Sequence, residues 1–165
     1  MLPILLGSAY QWDGDQLICE APIYDDGTPA GKTDWEQADT WHYEADSFRP
    51  IAKEQGGKLY YVITDHLGIP RELMDEQGNP VWRARYSVWG ELINEADDIA
   101  EENPRKITCN LRFQGQWYDS ESGLHYNRYR YYDPQSAQYL SPDPIGLAGG
   151  LTPQAYVYRV TAYIN

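Results

Sequence analysis

The sequence predicts an all-β chain of antiparallel hairpins, and three observations carry that prediction. Aromatic residues make up 14% of the 165 residues, with 15 Tyr against 2 Phe. Tyr combines an apolar ring with a polar tip, which suits half-buried sheet surfaces. There are 14 Gly and 11 Pro, enough to interrupt the chain with many turns. Between these breaks lie runs of β-branched and aromatic residues, the pattern of strands joined by tight turns.

Taken in order, residues 9–23 read as a hairpin with Trp12-Asp13-Gly14-Asp15 at its turn. Residues 24–40 are polar, contain Asp25-Asp26-Gly27 and Ala30-Gly31, and read as loop. Trp41-His42-Tyr43-Glu44 restarts a strand, Phe48-Arg49-Pro50-Ile51-Ala52 follows, and Gln55-Gly56-Gly57-Lys58 reverses the chain. Leu59-Tyr60-Tyr61-Val62-Ile63-Thr64 is β-branched and aromatic throughout, which predicts a central strand. Asp65-His66-Leu67-Gly68 is a turn, residues 70–75 a strand, and Glu76-Gln77-Gly78-Asn79-Pro80 a second turn. Val81-Trp82-Arg83-Ala84-Arg85-Tyr86 alternates apolar and basic residues at period two, as a half-buried strand does, and Trp89-Gly90 closes this unit.

Residues 91–102 carry six acids and no base. Leu92, Ala96 and Ile99 fit helical spacing, so a short acidic helix and an extended solvated loop both fit here. Asn103-Pro104 ends any helix. The last β block spans 107–140, with strands at Leu111-Arg112-Phe113-Gln114 and at 124–132, separated by Asp119-Ser120-Glu121-Ser122-Gly123. As one strand, 124–132 shows Tyr126, Arg128, Arg130 and Tyr132 on one face and His125, Asn127, Tyr129 and Tyr131 on the other. Neither face is apolar, so such a strand needs polar ladders and Tyr–Arg stacking. Turns that open on Asp and close on Gly recur at 65–68, 75–78 and 119–123, an irregular internal rhythm.

The formal net charge of −12 argues against nucleic acid and against an anionic membrane, which both call for a basic footprint. Cys19 and Cys109 stand far apart and outside any metal-ligand spacing, which reads as two reduced, partly buried thiols. His42, His66 and His125 each stand without a second His or Cys at ligand spacing, so no metal and no cofactor is expected. No Gly-x-Ser-x-Gly and no activated-Cys context is present. Met1-Leu2-Pro3-Ile4-Leu5-Leu6 is apolar but short, lacks a basic flank, and is broken by Pro3. Neither a signal peptide nor a transmembrane helix is expected, which favours a cytoplasmic chain. Delivery by a dedicated secretion machine remains compatible with it.

Several motifs, in order, resemble the core of Rhs/YD-repeat proteins. The first is Tyr61-Val62-Ile63-Thr64-Asp65-His66-Leu67-Gly68-Ile69-Pro70-Arg71-Glu72-Leu73. It is followed by Gly78-Asn79-Pro80-Val81-Trp82-Arg83-Ala84 and Tyr86-Ser87-Val88-Trp89-Gly90. Leu111-Arg112-Phe113-Gln114-Gly115-Gln116-Trp117-Tyr118-Asp119 resembles the next core block. The stretch from Gly123-Leu124-His125-Tyr126-Asn127-Arg128 through Tyr129-Arg130-Tyr131-Tyr132-Asp133-Pro134 resembles the closing block. So does Ser141-Pro142-Asp143-Pro144-Ile145-Gly146-Leu147. The likeness implies a hairpin strip belonging to a β-cocoon shell that encloses a C-terminal toxin. It divides the chain into an N-terminal hairpin and polar loop (1–40), a core-like region (41–151) and a divergent C-terminal tail (152–165).

In many members of that family the closing block is an intramolecular aspartyl protease. Two carboxylates share a proton, one as base on a water and the other as acid. The resemblance assigns Asp143, Pro144 and Gly146 to the first protease motif; Asp133 is the acid that a residual protease centred on Asp143 would pair with. In the family roughly eighteen residues separate the first motif's Gly, here Gly146, from the second motif's Asp, which places that Asp at position 165, where Asn165 stands. The motif is therefore read as vestigial, and the chain as a truncated, non-enzymatic shell piece without cargo. Its expected partners are Rhs or secretion-system components, or further copies through open sheet edges. Two other readings stay open: a residual aspartyl protease centred on Asp143, and a carbohydrate-binding module whose Trp and Tyr rings stack on sugars.

Overall fold

The computed structural model describes residues 3–96, 106–113 and 115–144. The described chain is antiparallel β throughout, apart from one 3-10 turn at Trp35–Gln37. The larger sheet begins with the hairpin β1 (Leu5–Asp13) and β2 (Gln16–Tyr24), and the short β3 (Lys32–Thr33) lies beside β2. It continues as β4 (Asp39–Tyr43), β5 (Pro50–Gln55), β6 (Lys58–Thr64), β7 (Pro70–Met74), β8 (Pro80–Tyr86) and β9 (Leu92–Ala96). Its order, β1-β2-β4-β5-β6-β7-β8-β9, follows the sequence, so it is a meandering strip. A smaller sheet holds β10 (Trp117–Asp119), β11 (Leu124–Asn127), β12 (Arg130–Asp133) and β13 (Gln138–Tyr139), again in chain order.

One face of the large sheet is the core face. Trp41 pairs with Lys53 and Lys53 with Tyr60, forming one cross-strand row. Val62 pairs with Leu73 and Leu73 with Trp82, forming the next. All six side chains are buried. The segment 106–113 and β10 lie over this face and add Ile107, Cys109, Leu111, Phe113 and Trp117 to the same apolar cluster. Burying a side chain of the size of Leu or Phe stabilises by roughly 1.5–3 kcal/mol, so this lid supplies much of the cohesion. The opposite face is wet. Tyr61 and Ile63 are exposed there, and the cross-strand pairs Glu72–Arg83 (3.3 Å) and Glu54–His42 (2.7 Å) decorate it.

The turns of the strip share one design. At Asp65 the carboxylate accepts from the N–H groups of Leu67 and Ile69 (2.9 and 3.0 Å), and Gly68, at φ 81°, donates its N–H to the Asp65 carbonyl. Asp75 repeats this with Gln77, Asn79 and Gly78. Ser87 repeats it again with its hydroxyl, to Trp89 and Glu91, with Gly90 at φ 85°. Each begins with a short acceptor side chain and closes on the left-handed residue that Gly tolerates best. The smaller sheet uses a variant one residue longer. Asp119 accepts from the Glu121 N–H and the Ser122 hydroxyl, and Asp133 from the Gln135 N–H and the Ser136 hydroxyl.

Five sequence expectations change in detail. The first hairpin spans Leu5 to Tyr24 rather than 9–23. The polar stretch 24–40 is loop except for Tyr24, which ends β2, and for β3, the 3-10 turn capped by Asp34, and the start of β4. Within 91–102, residues Leu92–Ala96 form strand β9, because the edge of β8 supplies hydrogen-bond partners that a helix would forgo; 97–102 lie outside the described residues. Among the described residues, 111–113 make a single bridge, Leu111 to Trp117, because their side chains fill the core under the strip; Gln114 lies outside the described residues. The stretch 124–132 is a hairpin and not one strand. Arg128, at φ 57°, turns the chain and pairs His125 with Tyr132 and Tyr126 with Tyr131.

Candidate functional site

The motif residues fall at the end of the small sheet. Asp143 is half-buried, and its carboxylate meets the Arg130 guanidinium at 3.3 Å. The same guanidinium lies 3.7 Å from the centre of the Tyr139 ring. Tyr139 accepts a hydrogen bond from the Asn127 amide at 2.6 Å and packs edge-on against Tyr132 at 5.5 Å. Burial pushes the Tyr139 phenol up, although Arg130 opposes this. Hairpin register places the cluster: Asn127 faces Arg130, and Tyr132 faces Tyr139. Pro144 is exposed, and Gly146 lies outside the described residues, as does the tail 152–165 with Asn165.

Asp133 is occupied elsewhere. Its carboxylate is bound within its own turn by Ser136 and Gln135, and the Ser136 hydroxyl holds its pKa below the usual range. In a proton-sharing pair the acid member is raised by its neighbour's negative charge, whereas the largest influence on Asp133 is the hydrogen bond from Ser136 in its own turn. Asp143, bound to a guanidinium, sits in the setting of a structural ion pair. In chemical terms the cluster can fasten the β13 end of the small sheet to β12.

His125 sits behind this cluster. It is buried, its Nδ1 is 3.2 Å from the Gln116 side-chain oxygen, and burial holds its pKa down to about 3, with the Arg112 charge adding to the effect. It is therefore neutral at neutral pH and acts as a packing residue between Tyr118 and Tyr132. His42 is exposed beside Glu54, and His66 is exposed in its turn. No group of three or more His, Cys, Asp or Glu side chains is placed to hold a metal among the described residues. Neither cysteine forms a disulfide among the described residues; Cys109 is buried and Cys19 lies 3.6 Å from the Thr40 hydroxyl.

Of the tryptophans, Trp41, Trp82 and Trp117 are buried in the core, while Trp12, Trp35 and Trp89 are exposed. Sequence reasoning did not find the polar clamp under the strip. Lys53, buried, donates to Gln55 (2.7 Å) and to the Thr108 carbonyl (2.7 Å), meets Asp39 at 3.1 Å, and lies over the Trp41 ring. Gln55 donates to the Lys106 carbonyl at 3.0 Å. The signal was the Lys-x-Gln alternation at 53–55, which points both side chains to the core face.

Comparison with known proteins agrees with this architecture. The model of the RHS protein family matches residues 59–96, which run from within β6 to the end of β9. YibJ, an uncharacterized protein of Escherichia coli K12, is 42% identical over 108 residues, which covers 66% of this chain and 43% of YibJ. The toxin protein Tse5 of Pseudomonas aeruginosa is 43% identical over 99 residues, 60% of this chain and 7% of Tse5. The chain thus spans less than half the length of these relatives. The crystal structure of TcdB2-TccC3 without its hypervariable C-terminal region superposes with a TM-score of 0.66 at 19% identity, over 96% of this chain and 8% of that one. That likeness is one of fold.

Proposed function

The chain belongs to the Rhs family, and from that premise we propose that it is a structural and interaction segment of an Rhs shell and has no catalytic centre of its own. The observation that carries the reading is the strip itself: hairpins in strict chain order whose inner face is closed by segment 106–113 and the small sheet. Such a strip extends by adding strands at its ends, and β1 lies at one end with Leu5, Leu6, Tyr10 and Trp12 exposed. An edge with no strand beside it among the described residues invites a further strand. Rhs or secretion-system components, or a second copy, are the partners that fit it. On this reading the toxic chemistry of a relative such as Tse5 lies outside the matched segment.

Self-cleavage is not part of this reading, because Asp143 serves Arg130 and Asp133 serves its own turn. The test is intact-mass spectrometry on freshly made protein and on protein incubated from acid to neutral pH, with Asp143→Asn alongside. One full-length mass is expected for both. A discrete fragment pair in the parent chain that vanishes in Asp143→Asn would establish the protease instead.

A further inference from the structure

Lys53 is a buried lysine, whereas Lys32, Lys58 and Lys106 are exposed. It shares the core face with Asp39 and Gln55, and each of these side chains is at most 3% exposed. Strand register brings them together. Thr40 faces Glu54 and Trp41 faces Lys53, so the next step along β4 sets Asp39 opposite Gln55. The Lys53 Nζ lies 2.7 Å from the Gln55 Oε1 and 3.1 Å from the Asp39 Oδ2. The Gln55 carbonyl carbon is one bond beyond Oε1, and so within about 4 Å of the amine. The Gln55 amide nitrogen donates to the Lys106 carbonyl at 3.0 Å, which fixes the amide with its oxygen toward Lys53. The Trp41 ring, centred 5.2 Å from Nζ, and buried Tyr60 beside Lys53 wall the site with aromatic surface.

An amine, an amide carbonyl and a carboxylate held at this range in a buried site are the parts of a self-made isopeptide bond. We propose that Lys53 and Gln55 become joined in this way, with Asp39 as the proton carrier. Asp39 takes one proton from the Lys53 ammonium, and the freed amine attacks the Gln55 carbonyl carbon to form the Nζ–Cδ bond. The tetrahedral centre collapses by breaking the Cδ–Nε2 bond. A second proton, passed from Nζ to Nε2 through the Asp39 carboxyl, lets that nitrogen leave as ammonia. Every proton is accounted for: the new amide keeps one, ammonia takes three and Asp39 holds one, and the site is neutral before and after. No oxidant or reductant enters. The N–H left on the new amide has an acceptor in place, the Thr108 carbonyl, which lies 2.7 Å from Nζ. The drive is electrostatic. Folding buries an ion pair, and the reaction discharges it, removing the desolvation penalty that both ions carry. Escape of ammonia makes the step one-way. It happens once per chain and leaves the backbone uncut, so it is neither turnover nor self-cleavage.

The test weighs the full chain when freshly made and again after several days at neutral pH. A species lighter by about 17 Da, the mass of ammonia, should grow with time. Peptide mapping with fragmentation should place the loss on a link between Lys53 and Gln55, and the linked Lys53 should resist acetylation after the chain is unfolded. Lys53→Arg keeps the charge but forms no such link, so it should keep its full mass. Asp39→Asn removes the proton carrier and should slow the link at least about a hundredfold. The parent chain in denaturing urea is a control that needs no variant, because unfolding separates the three groups, and there the link should not form. A folded parent that keeps its full mass would overturn the proposal. So would a loss mapped to other residues, a loss of water (about 18 Da) from a link to Asp39, or equal formation in urea. Formation at the parent rate in Asp39→Asn would overturn it as well. The parent and urea measurements decide the matter even if a variant fails to fold.

Discussion

At the scale of single residues, the turns and the buried histidine carry the sharpest consequences. Asp65 holds two backbone N–H groups and the Arg71 guanidinium at once. Asp65→Ala leaves these donors without that acceptor and should cost about 2 kcal/mol of stability in urea unfolding. Ser87→Asp, which restores the acceptor used at the other two turns, should be tolerated, whereas Ser87→Ala should cost about 1 kcal/mol. His125 sets a pH dependence. Its pKa is near 6.5 unfolded and about 3 folded, so below 6.5 the unfolded chain takes up a proton that the folded chain refuses. The stability contributed by the neutral histidine is complete above that value and is lost as pH falls toward 3. Asp119 and Asp133, whose hydrogen bonds lower their pKa values from 3.8, lose their contribution only in a more acidic window. Urea denaturation at pH 7 and at pH 4.5 should show a marked loss in the parent chain and a smaller one in His125→Gln. Equal losses in both would mean that His125 is protonated in the folded state.

At the scale of elements, two glycines of equal conformation separate backbone strain from packing. Gly78 and Gly90 both have φ above 80°. A Cβ at Gly78 would meet nothing within 4 Å, whereas at Gly90 it would come within 2.8 Å of the Phe113 ring. Gly78→Ala should therefore cost only the left-handed strain, about 1–2 kcal/mol. Gly90→Ala carries that strain and also pushes against a core ring, so it should lower the melting temperature clearly further. If the two variants melt alike, Phe113 does not pack on the β8–β9 turn as described. The element scale also explains why residues 124–132 form a hairpin. As one strand the stretch would place His125 and Tyr131 on the same face, yet His125 is buried and Tyr131 is exposed. Turning at Arg128 lets His125 and Tyr132 share the buried face, while Tyr126 and Tyr131 share the other.

At the scale of the whole molecule, the two sheets are held together by few but buried ties. Apolar contacts from segment 106–113 do most of this, and the Lys53 clamp fixes where the segment lies. Tyr132 adds a tie from the small sheet, donating its hydroxyl to the Trp89 carbonyl at 2.9 Å; burial pushes its pKa up to about 12, which keeps it a donor. Removing one member of a buried ion pair leaves the other uncompensated, at about 3–5 kcal/mol. Lys53→Met should therefore be severely destabilising, while Lys53→Met with Asp39→Leu should recover part of the loss. Thermal unfolding followed by both far-ultraviolet circular dichroism and Trp fluorescence checks this. The parent chain should melt in one coincident transition, and separate transitions would show that the sheets fold independently.

The sequence by itself determined the all-β class, the order of the hairpins in the large sheet and the positions of the turns that open on Asp and close on Gly. These are local matters: an Asp or Ser caps N–H groups two and four residues ahead, and a Gly takes the left-handed backbone. The Rhs likeness was legible for the same reason, since its motifs are largely these turns and the strands around them. What only the tertiary structure decided are long-range matters. Residues 111–113 are as β-prone as their neighbours, but the open core face under the strip claims their side chains. Arg128 adopts a left-handed backbone that no local rule favours, because burial of His125 and Tyr132 on one face outweighs a strain of about 1–2 kcal/mol. Asp133 and Asp143 looked alike as Asp-Pro pairs, yet one caps a turn and the other answers an arginine. The aromatic wall of Tyr10, Trp12, Trp117 and Tyr126 has no motif at all, because its members come from strands far apart in the sequence that meet only once the chain has folded.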